Sequence, residues 1–336
     1  MRLLIITQKV DRRDPILGFF IRWIVEFSKK CGQVVVIGQY AGSFDLPGNV
    51  EVFSMRKEKG YSRLRQIFEF WKLQWKLKRE YDAVLVHMTP VWVVLGWPVW
   101  FIFRKPVYLW YEARGGGWAL PLSLRLARKV FSATEYGLPR RAKNSVIVGH
   151  GIDTEFMKPS GIRDRNLIVA IGRITKTKHY DVILKAFAKL PSNCRLFIAG
   201  GTIRKDDRIV LAGLEKIMKD LDISNRVEIR FVTHEEIRSL LQRSVLQLHA
   251  CGGGLDKCVL ESMACGCPVV SSSIAAKYVL PEVCLCTDET IGEKAIQILG
   301  LPEADRNDLA GGLRQKVIEE HSLQRLAERL VVEMKK

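Results

Sequence analysis

The sequence predicts an α/β protein of two doubly wound domains facing a cleft, and three observations carry that prediction. Its 336 residues are too many for one core and suit two domains of about 150 each. Short β-branched runs alternate with helical patterns almost throughout. The alternation starts afresh after Gly151, and the polar stretch 158–165 reads as the linker, giving expected domains of 1–157 and 158–322.

In the first series, the apolar runs 2–7, 33–38, 50–53, 83–87, 106–111 and 130–133 have the pattern of strands buried on both faces. Helical spacing lies between them near 17–30, 61–80 and 90–103. The longest apolar run, 91–103, has 13 residues and Pro98 in its middle. That is short of the roughly 18 that a membrane span needs, so it reads as a buried helix pair or an interfacial element. The second series places strands at 167–171, 195–199, 227–231, 245–248 and 268–271, with helices between. Such alternation implies parallel sheets with right-handed crossovers, and these bind ligands beyond the C-terminal strand ends. No internal repeat or low-complexity segment stands out.

With 48% hydrophobic and 26% charged residues the chain is globular and not disordered. Met1 leads straight into a strand pattern without a cleavage site, which points to a cytosolic address. Eight cysteines suggest reduced thiols. Six fall between Cys251 and Cys286 without a C-x-x-C spacing, so they read as small hydrophobes and no metal site is expected. The net charge of +17 is uneven: residues 1–157 hold 25 Lys/Arg against 13 Asp/Glu. An excess on one half points to a polyanionic partner there, whether nucleic acid, anionic lipid or a phosphorylated acceptor. Residues 56–80 carry nine cations, three acids and the aromatics Tyr61, Phe68, Phe70, Trp71 and Trp75. They read either as a core-facing helix with a charged outer face or as a membrane-surface helix. Asp220 and Asp222 follow an amphipathic helix and read as its solvated end.

Two segments carry chemistry. Gly252, Gly253, Gly254 and Leu255 lead through Asp256 and Lys257 into a helix of Cys258, Val259, Leu260 and Glu261, followed by Gly266, Pro268 and an apolar run. A loop entering a helix offers unpaired N–H groups and a positive dipole end, which suits phosphate. Glu261, one turn in, can accept from a sugar diol. By itself the loop also fits an ordinary turn. Earlier, a buried strand ends at Gly172, and Arg173 and Lys178 flank the loop after it. Glycine lets the backbone approach a ligand, Arg173 can grip phosphate oxygens bidentately, and Lys178 supplies a point charge. Either cation alone reads equally as solvated. His87 ends a buried strand, where it is either a packed ring or a ligand-facing one.

Together, Gly172-Arg173-x4-Lys178 and the Leu260-Glu261 to Val270 segment about 80 residues later resemble the family 4 glycosyltransferases of the two-Rossmann-domain, GT-B type. Leu196 to Gly201, Val227 to Leu240 and His150-Gly151-Ile152-Asp153 fit the same family, as do Leu17-Gly18 and Tyr81 to His87 more loosely. The resemblance implies retaining transfer of a sugar from a nucleoside diphosphate sugar to a lipid-linked or saccharide acceptor. It implies no cofactor and no obligatory metal, and a final helix 323–336 that returns to the first domain. Arg173 and Lys178 would neutralise the departing diphosphate, and Glu261 would hold the ribose. Val232, Thr233 and His234 would border the base. Gly18, Gly172, Gly201 and residues 254–260, from Gly254 through Lys257 to Leu260, would line the donor. With the basic first half, this makes an anionic membrane surface an expected partner, with a peripheral place at its inner face, and nucleic acid not one.

Two positions depart from the family. The glutamate it commonly has eight residues before Glu261 is Gly253 here; Lys257 is expected to face the diphosphate and the 254–257 amides to replace sugar contacts. The histidine it often has after the strand 107–111 is missing, so an acceptor-side catalytic role falls on Glu112, Arg114 or His87, or on none. Two alternatives therefore stand beside the transferase: a catalytically impaired binding protein of the same fold, and a nucleic-acid-binding protein using the basic half.

Overall fold

Leu3, Leu4, Ile5 and Ile6 are all fully buried, because they sit mid-sheet and alternate between two apolar layers. This is a computed structural model describing residues 1–336 except Pro15, Arg140, Arg141 and Ile162. The chain divides into two units, Met1–Gly151 with Leu323–Lys336, and Ile152–Ser322.

The first unit contains β1 (Arg2–Val10), α1 (Phe20–Lys30), β2 (Gln33–Ala41), β3 (Val50–Ser54), α2 (Arg63–Leu77), β4 (Ala83–His87), α3 (Pro90–Ile102), β5 (Val107–Trp110), α4 (Ala119–Leu126), β6 (Lys129–Ser132) and β7 (Ser145–Ile147). Its parallel sheet runs β3-β2-β1-β4-β5-β6-β7. Leu3 lies between Val34 and Ala83 in register. Leu3, Ile5, Val34 and Val36 pack with α1 on one face, while Leu4, Ile6, Val35 and Ile37 pack against Phe70 and Trp100 on the other. Each such aliphatic side chain contributes about 1.5–3 kcal/mol relative to exposure.

The second unit contains β8 (Asp164–Ile171), α5 (Tyr180–Ala188), β9 (Arg195–Ala199), α6 (Lys205–Asp220), β10 (Val227–Arg230), α7 (His234–Arg243), β11 (Ser244–His249), α8 (Lys257–Ala264), β12 (Val269–Ser271), α9 (Ile291–Leu299) and α10 (Glu303–Lys316). Its sheet runs β10-β9-β8-β11-β12, all parallel. The order reverses between β8 and β11, so the two C-terminal ends there leave a crevice. Gly172 and His249 stand at those ends.

The last helix, α11 (Leu323–Lys335), buries Leu326, Ala327 and Leu330 in the first unit's core. Tyr108 donates to the Met334 carbonyl at 3.0 Å, and Lys129 pairs with Glu333 at 2.7 Å.

Three expectations are corrected. The units divide at Gly151/Ile152, earlier than 157/158. The Ile152 amide bonds the His321 carbonyl at 2.8 Å, and Arg314 reaches the Thr154 and Met157 carbonyls, which ties 152–157 to the second unit. Residues 90–102 form one helix, not a pair, although Pro98 lies inside it. Helix α4 and strand β7 were not foreseen. Among the described residues no helix is long and apolar enough to cross a membrane.

Candidate functional site

At the head of the crevice, β8 is followed by Gly172, whose φ of +148° disfavours a side chain. Its neighbour on β9 is equally constrained: a Cβ on Gly200 would lie 2.0 Å from the Gly172 carbonyl oxygen. That carbonyl accepts the Tyr180 hydroxyl at 2.7 Å, which fixes the turn from below. The turn then delivers Arg173 to the surface and Lys178 inward. The two loops are stitched together, since the Gly252 amide donates to the Thr177 carbonyl at 3.2 Å. At Gly201 a Cβ would press on the Phe231 ring at 2.9 Å.

The loop after β11 enters α8, where Cys258, Val259 and Leu260 are buried as core residues. The Lys178 ammonium pairs with Asp256, which also accepts His249 Nε2 at 3.0 Å. Burial works against both charges, yet the pairing wins. The carboxyl of Asp256 is held well below the usual range by His249 and Lys178, and the Lys178 pKa is raised by Asp256. Glu261, 4% exposed, accepts Lys257 Nζ at 2.6 Å and His234 Nε2 at 2.9 Å. Burial again opposes its charge, and Lys257 and His234 outweigh it, lowering the carboxyl to about 2. One buried and one part-buried carboxylate are thus neutralised by two lysines. Arg173 is exposed, and its charge reaches Asp207.

The sequence-derived candidates in this unit therefore converge, with changed partners. Lys257 lies on Glu261 one helical turn away, where a role facing diphosphate was expected. Thr233 is a helix cap: its hydroxyl accepts the Glu236 amide, and the Glu236 carboxylate accepts the Thr233 amide. Val232 is buried, and the His234 ring stacks on Phe156 with centroids 5.4 Å apart. At Gly253 a Cβ would meet nothing nearer than the Cys251 sulfur at 3.5 Å.

His249 escaped the sequence reading. It is 3% exposed, with Nδ1 2.8 Å from Ser271 Oγ. The one signal for it was its place at the end of a buried strand, the criterion that singled out His87. His249, Asp256 and Cys258 bring their ligand-type atoms within 4.8 Å of one another, and the Lys178 ammonium is paired to that same Asp256. All eight cysteines are free, and burial pushes the Cys267 and Cys284 thiols up to about 11, so they pack as neutral side chains.

In the first unit, Gly18 closes a loop whose backbone leaves no room: a Cβ would lie 2.6 Å from the Asp14 carbonyl oxygen. His87 is 2% exposed and stacked between Phe20 and Trp110, with centroids at 4.2 and 5.3 Å. Burial drives its pKa down to about 3, with His150 adding to the effect. A ring kept neutral and enclosed in this way is packed for shape. Glu112 is also buried. It accepts the Ser132 hydroxyl, the Ala133 and Thr134 amides and the Thr134 hydroxyl, at 2.8–3.3 Å. Burial raises its pKa and these four donors offset part of that. Arg114 donates to the Tyr136 and Leu138 carbonyls. Glu112 and Arg114 therefore brace the loop after β6. Glu112→Ala should cost about 1–3 kcal/mol in denaturant unfolding, because it leaves buried amides unpaired. An unchanged midpoint would contradict the bracing role.

Two doubly wound units, one with a cation-bearing glycine turn at its sheet's switch point, have the architecture of the GT-B fold. Residues 152–283 match the family described as Glycosyl transferases group 1. The sequence is 24% identical over 132 residues to the N-acetylgalactosamine-N,N'-diacetylbacillosaminyl-diphospho-undecaprenol 4-alpha-N-acetylgalactosaminyltransferase of Campylobacter jejuni, covering 38% of this chain and 34% of the relative. It is 27% identical over 113 residues to the human GDP-Man:Man(3)GlcNAc(2)-PP-Dol alpha-1,2-mannosyltransferase, covering 30% and 23%. The chain thus spans about a quarter to a third of the length of the curated relatives it matches. Among solved structures, HepE of Anabaena in complex with UDP-glucose superposes with a TM-score of 0.80 at 16% identity, covering 100% and 99%. The sucrose-phosphate synthase of Thermosynechococcus elongatus gives 0.78 at 15%, covering 99% and 98%. Both likenesses establish the fold.

Proposed function

We propose that this chain is a glycosyltransferase that moves a sugar from a nucleoside diphosphate sugar to a lipid-linked or saccharide acceptor, with retention at the anomeric carbon and without a resident metal. The convergence of the Gly172 turn, Lys178 and the start of α8 with Glu261 one turn in carries this reading. The bond between anomeric carbon and diphosphate oxygen breaks, and negative charge grows on the leaving group. Lys178 gives one N–H to Asp256 and one to the Cys251 sulfur and has a third for phosphate, and exposed Arg173 can fork onto phosphate oxygens, so both stabilise that charge. Glu261 exchanges Lys257 and His234 for the ribose hydroxyls. The matched family and the donor named for HepE support a nucleotide-sugar donor.

Thermal-shift screening of nucleoside diphosphates tests this first, since a ligand at 100 times its Kd stabilises by about 2.7 kcal/mol. Slow release of free nucleotide from the intact donor then separates a live enzyme from a binding protein. The enclosed His87 and the saturated Glu112 favour that second reading. Absence of any stabilising nucleotide would remove both.

The acceptor side of the proposal rests on α2 and α3. Trp71 donates to the Leu95 carbonyl at 2.8 Å and joins the two helices. Phe68, Trp71, Trp75, Phe101 and Ile102 are exposed there, the last two at 65% and 67%. Lys78 sits over the Trp75 ring at 3.8 Å, and Lys72, Lys76 and Arg79 accompany it. Apolar rings with a cationic fringe suit an anionic bilayer surface, which supports a peripheral place at the inner face of the membrane. Replacing Lys72, Lys76, Lys78 and Arg79 with glutamine should weaken binding to anionic vesicles by up to about 1 kcal/mol per charge, without unfolding. Equal partitioning of the wild type onto neutral and anionic vesicles would overturn the electrostatic part.

A further inference from the structure

We propose that His249 and Ser271 are positioning residues that hold the Lys178 ammonium in place through Asp256. The proposal rests on the reading of Lys178 as the diphosphate cation. The four groups form one hydrogen-bonded chain across the ends of β12, β11 and β8. The Ser273 amide donates to Ser271 Oγ at 3.1 Å, and Ser271 Oγ lies 2.8 Å from His249 Nδ1. His249 Nε2 lies 3.0 Å from Asp256 Oδ2, to which Lys178 Nζ also donates.

The direction of each bond follows from chemistry. An ionised carboxylate only accepts, so His249 carries its proton on Nε2. At Nδ1 the ring meets the Ser271 hydroxyl, which can donate to it. Ser271 is free to donate because its oxygen already receives the Ser273 amide. Both ring nitrogens have a partner, within a buried pocket where an unmatched group would be costly.

What this accomplishes concerns Asp256. Its carboxylate precedes α8 and makes no cap bond to that helix, so its own helix does not orient it. His249 supplies the missing restraint. Burial alone drives a lysine towards its neutral form, and the Asp256 carboxylate opposes that. Without the restraint, the carboxylate can rotate away and leave a neutral, reactive amine among Cys251 and Cys258.

The experiment measures acetylation of Lys178 by an amine-reactive ester, read by peptide mass, in the full chain. His249→Leu and Asp256→Asn should each speed the modification about tenfold, the scale of one buried hydrogen bond. His249→Gln, whose amide can place a donor near Nε2, should return the rate close to wild type. In an Asp256→Asn background, His249→Leu should add nothing further, because its effect runs through that carboxylate. A wild-type rate in His249→Leu, or an equal effect in both backgrounds, overturns the proposal. Should His249→Leu not fold, Ser271→Ala keeps the ring and removes only its donor, and a wild-type rate there overturns it as well. Inorganic pyrophosphate should slow the modification of wild type. Its failure to do so would strike the donor-site reading, while the Leu and Gln comparison still decides the chain of bonds.

Discussion

On the proposed function, Lys178→Ala should lower turnover by about 10²-fold or more, and nucleoside diphosphate affinity by much less. The ammonium is half enclosed at the Gly172 turn and fully charged at neutral pH, since Asp256 raises its pKa. In the bound donor the diphosphate already carries charge, so ground-state binding keeps much of its value through Arg173 and the backbone amides. As the glycosidic bond breaks, the added charge appears on the bridging oxygen, and a fixed cation is worth most at that moment. Removing it also leaves the buried Asp256 carboxylate with His249 alone, which adds repulsion towards an anionic leaving group. Calorimetric affinity and single-turnover rates in the same variant check the split. Equal losses in both, or none in either, would place the diphosphate elsewhere.

The parts of this site that were legible in the sequence are local. Gly172, Arg173 and Lys178 follow one strand within a few residues, and Glu261 lies one turn inside one helix, so spacing alone aligns them. The strands β8, β9 and β11 were equally readable, because burial on both faces leaves uninterrupted apolar runs. Strand β7 has three residues and α4 has eight with Pro121 in its first turn, too short for either period to show. Partnerships at long range were not legible. His249 meets Ser271 22 residues away, and no spacing rule connects them. Glu112 was a candidate for an acceptor-side role because the family's histidine is missing after the strand 107–111. Its donors arrive from residues 20–22 positions later, and they turn a candidate acid into a loop brace. Lys257 is the opposite case: its i,i+4 relation to Glu261 is legible in the spacing alone, and the two side chains pair at 2.6 Å.

On the proposed function, Glu261→Ala should cost about 1.5–3 kcal/mol of nucleoside diphosphate affinity, the value of a hydrogen bond to a charged group, and leave the affinity for inorganic pyrophosphate near wild type. The two probes differ by the nucleoside, so the comparison isolates the ribose contact from the phosphate contacts. The carboxylate suits that role because burial and two cationic or polar partners hold it in one place with its charge intact. Its pKa, lowered to about 2, keeps it ionised throughout the neutral and mildly acidic range. The sign of its effect on stability follows. A glutamate in the unfolded chain titrates near about 4.3, so the folded form binds fewer protons below that value. The stabilisation is present in full above the unfolded pKa and is lost as pH falls from about 4.3 towards 2. Glu261→Gln should therefore flatten the acid side of the stability curve in that window while it weakens nucleotide binding at neutral pH. Denaturant unfolding between pH 2 and 5, beside calorimetry at pH 7, measures both. A Glu261→Gln protein that binds nucleoside diphosphate as wild type does would remove the ribose from α8, and with it the placement of the donor at this end of the second sheet.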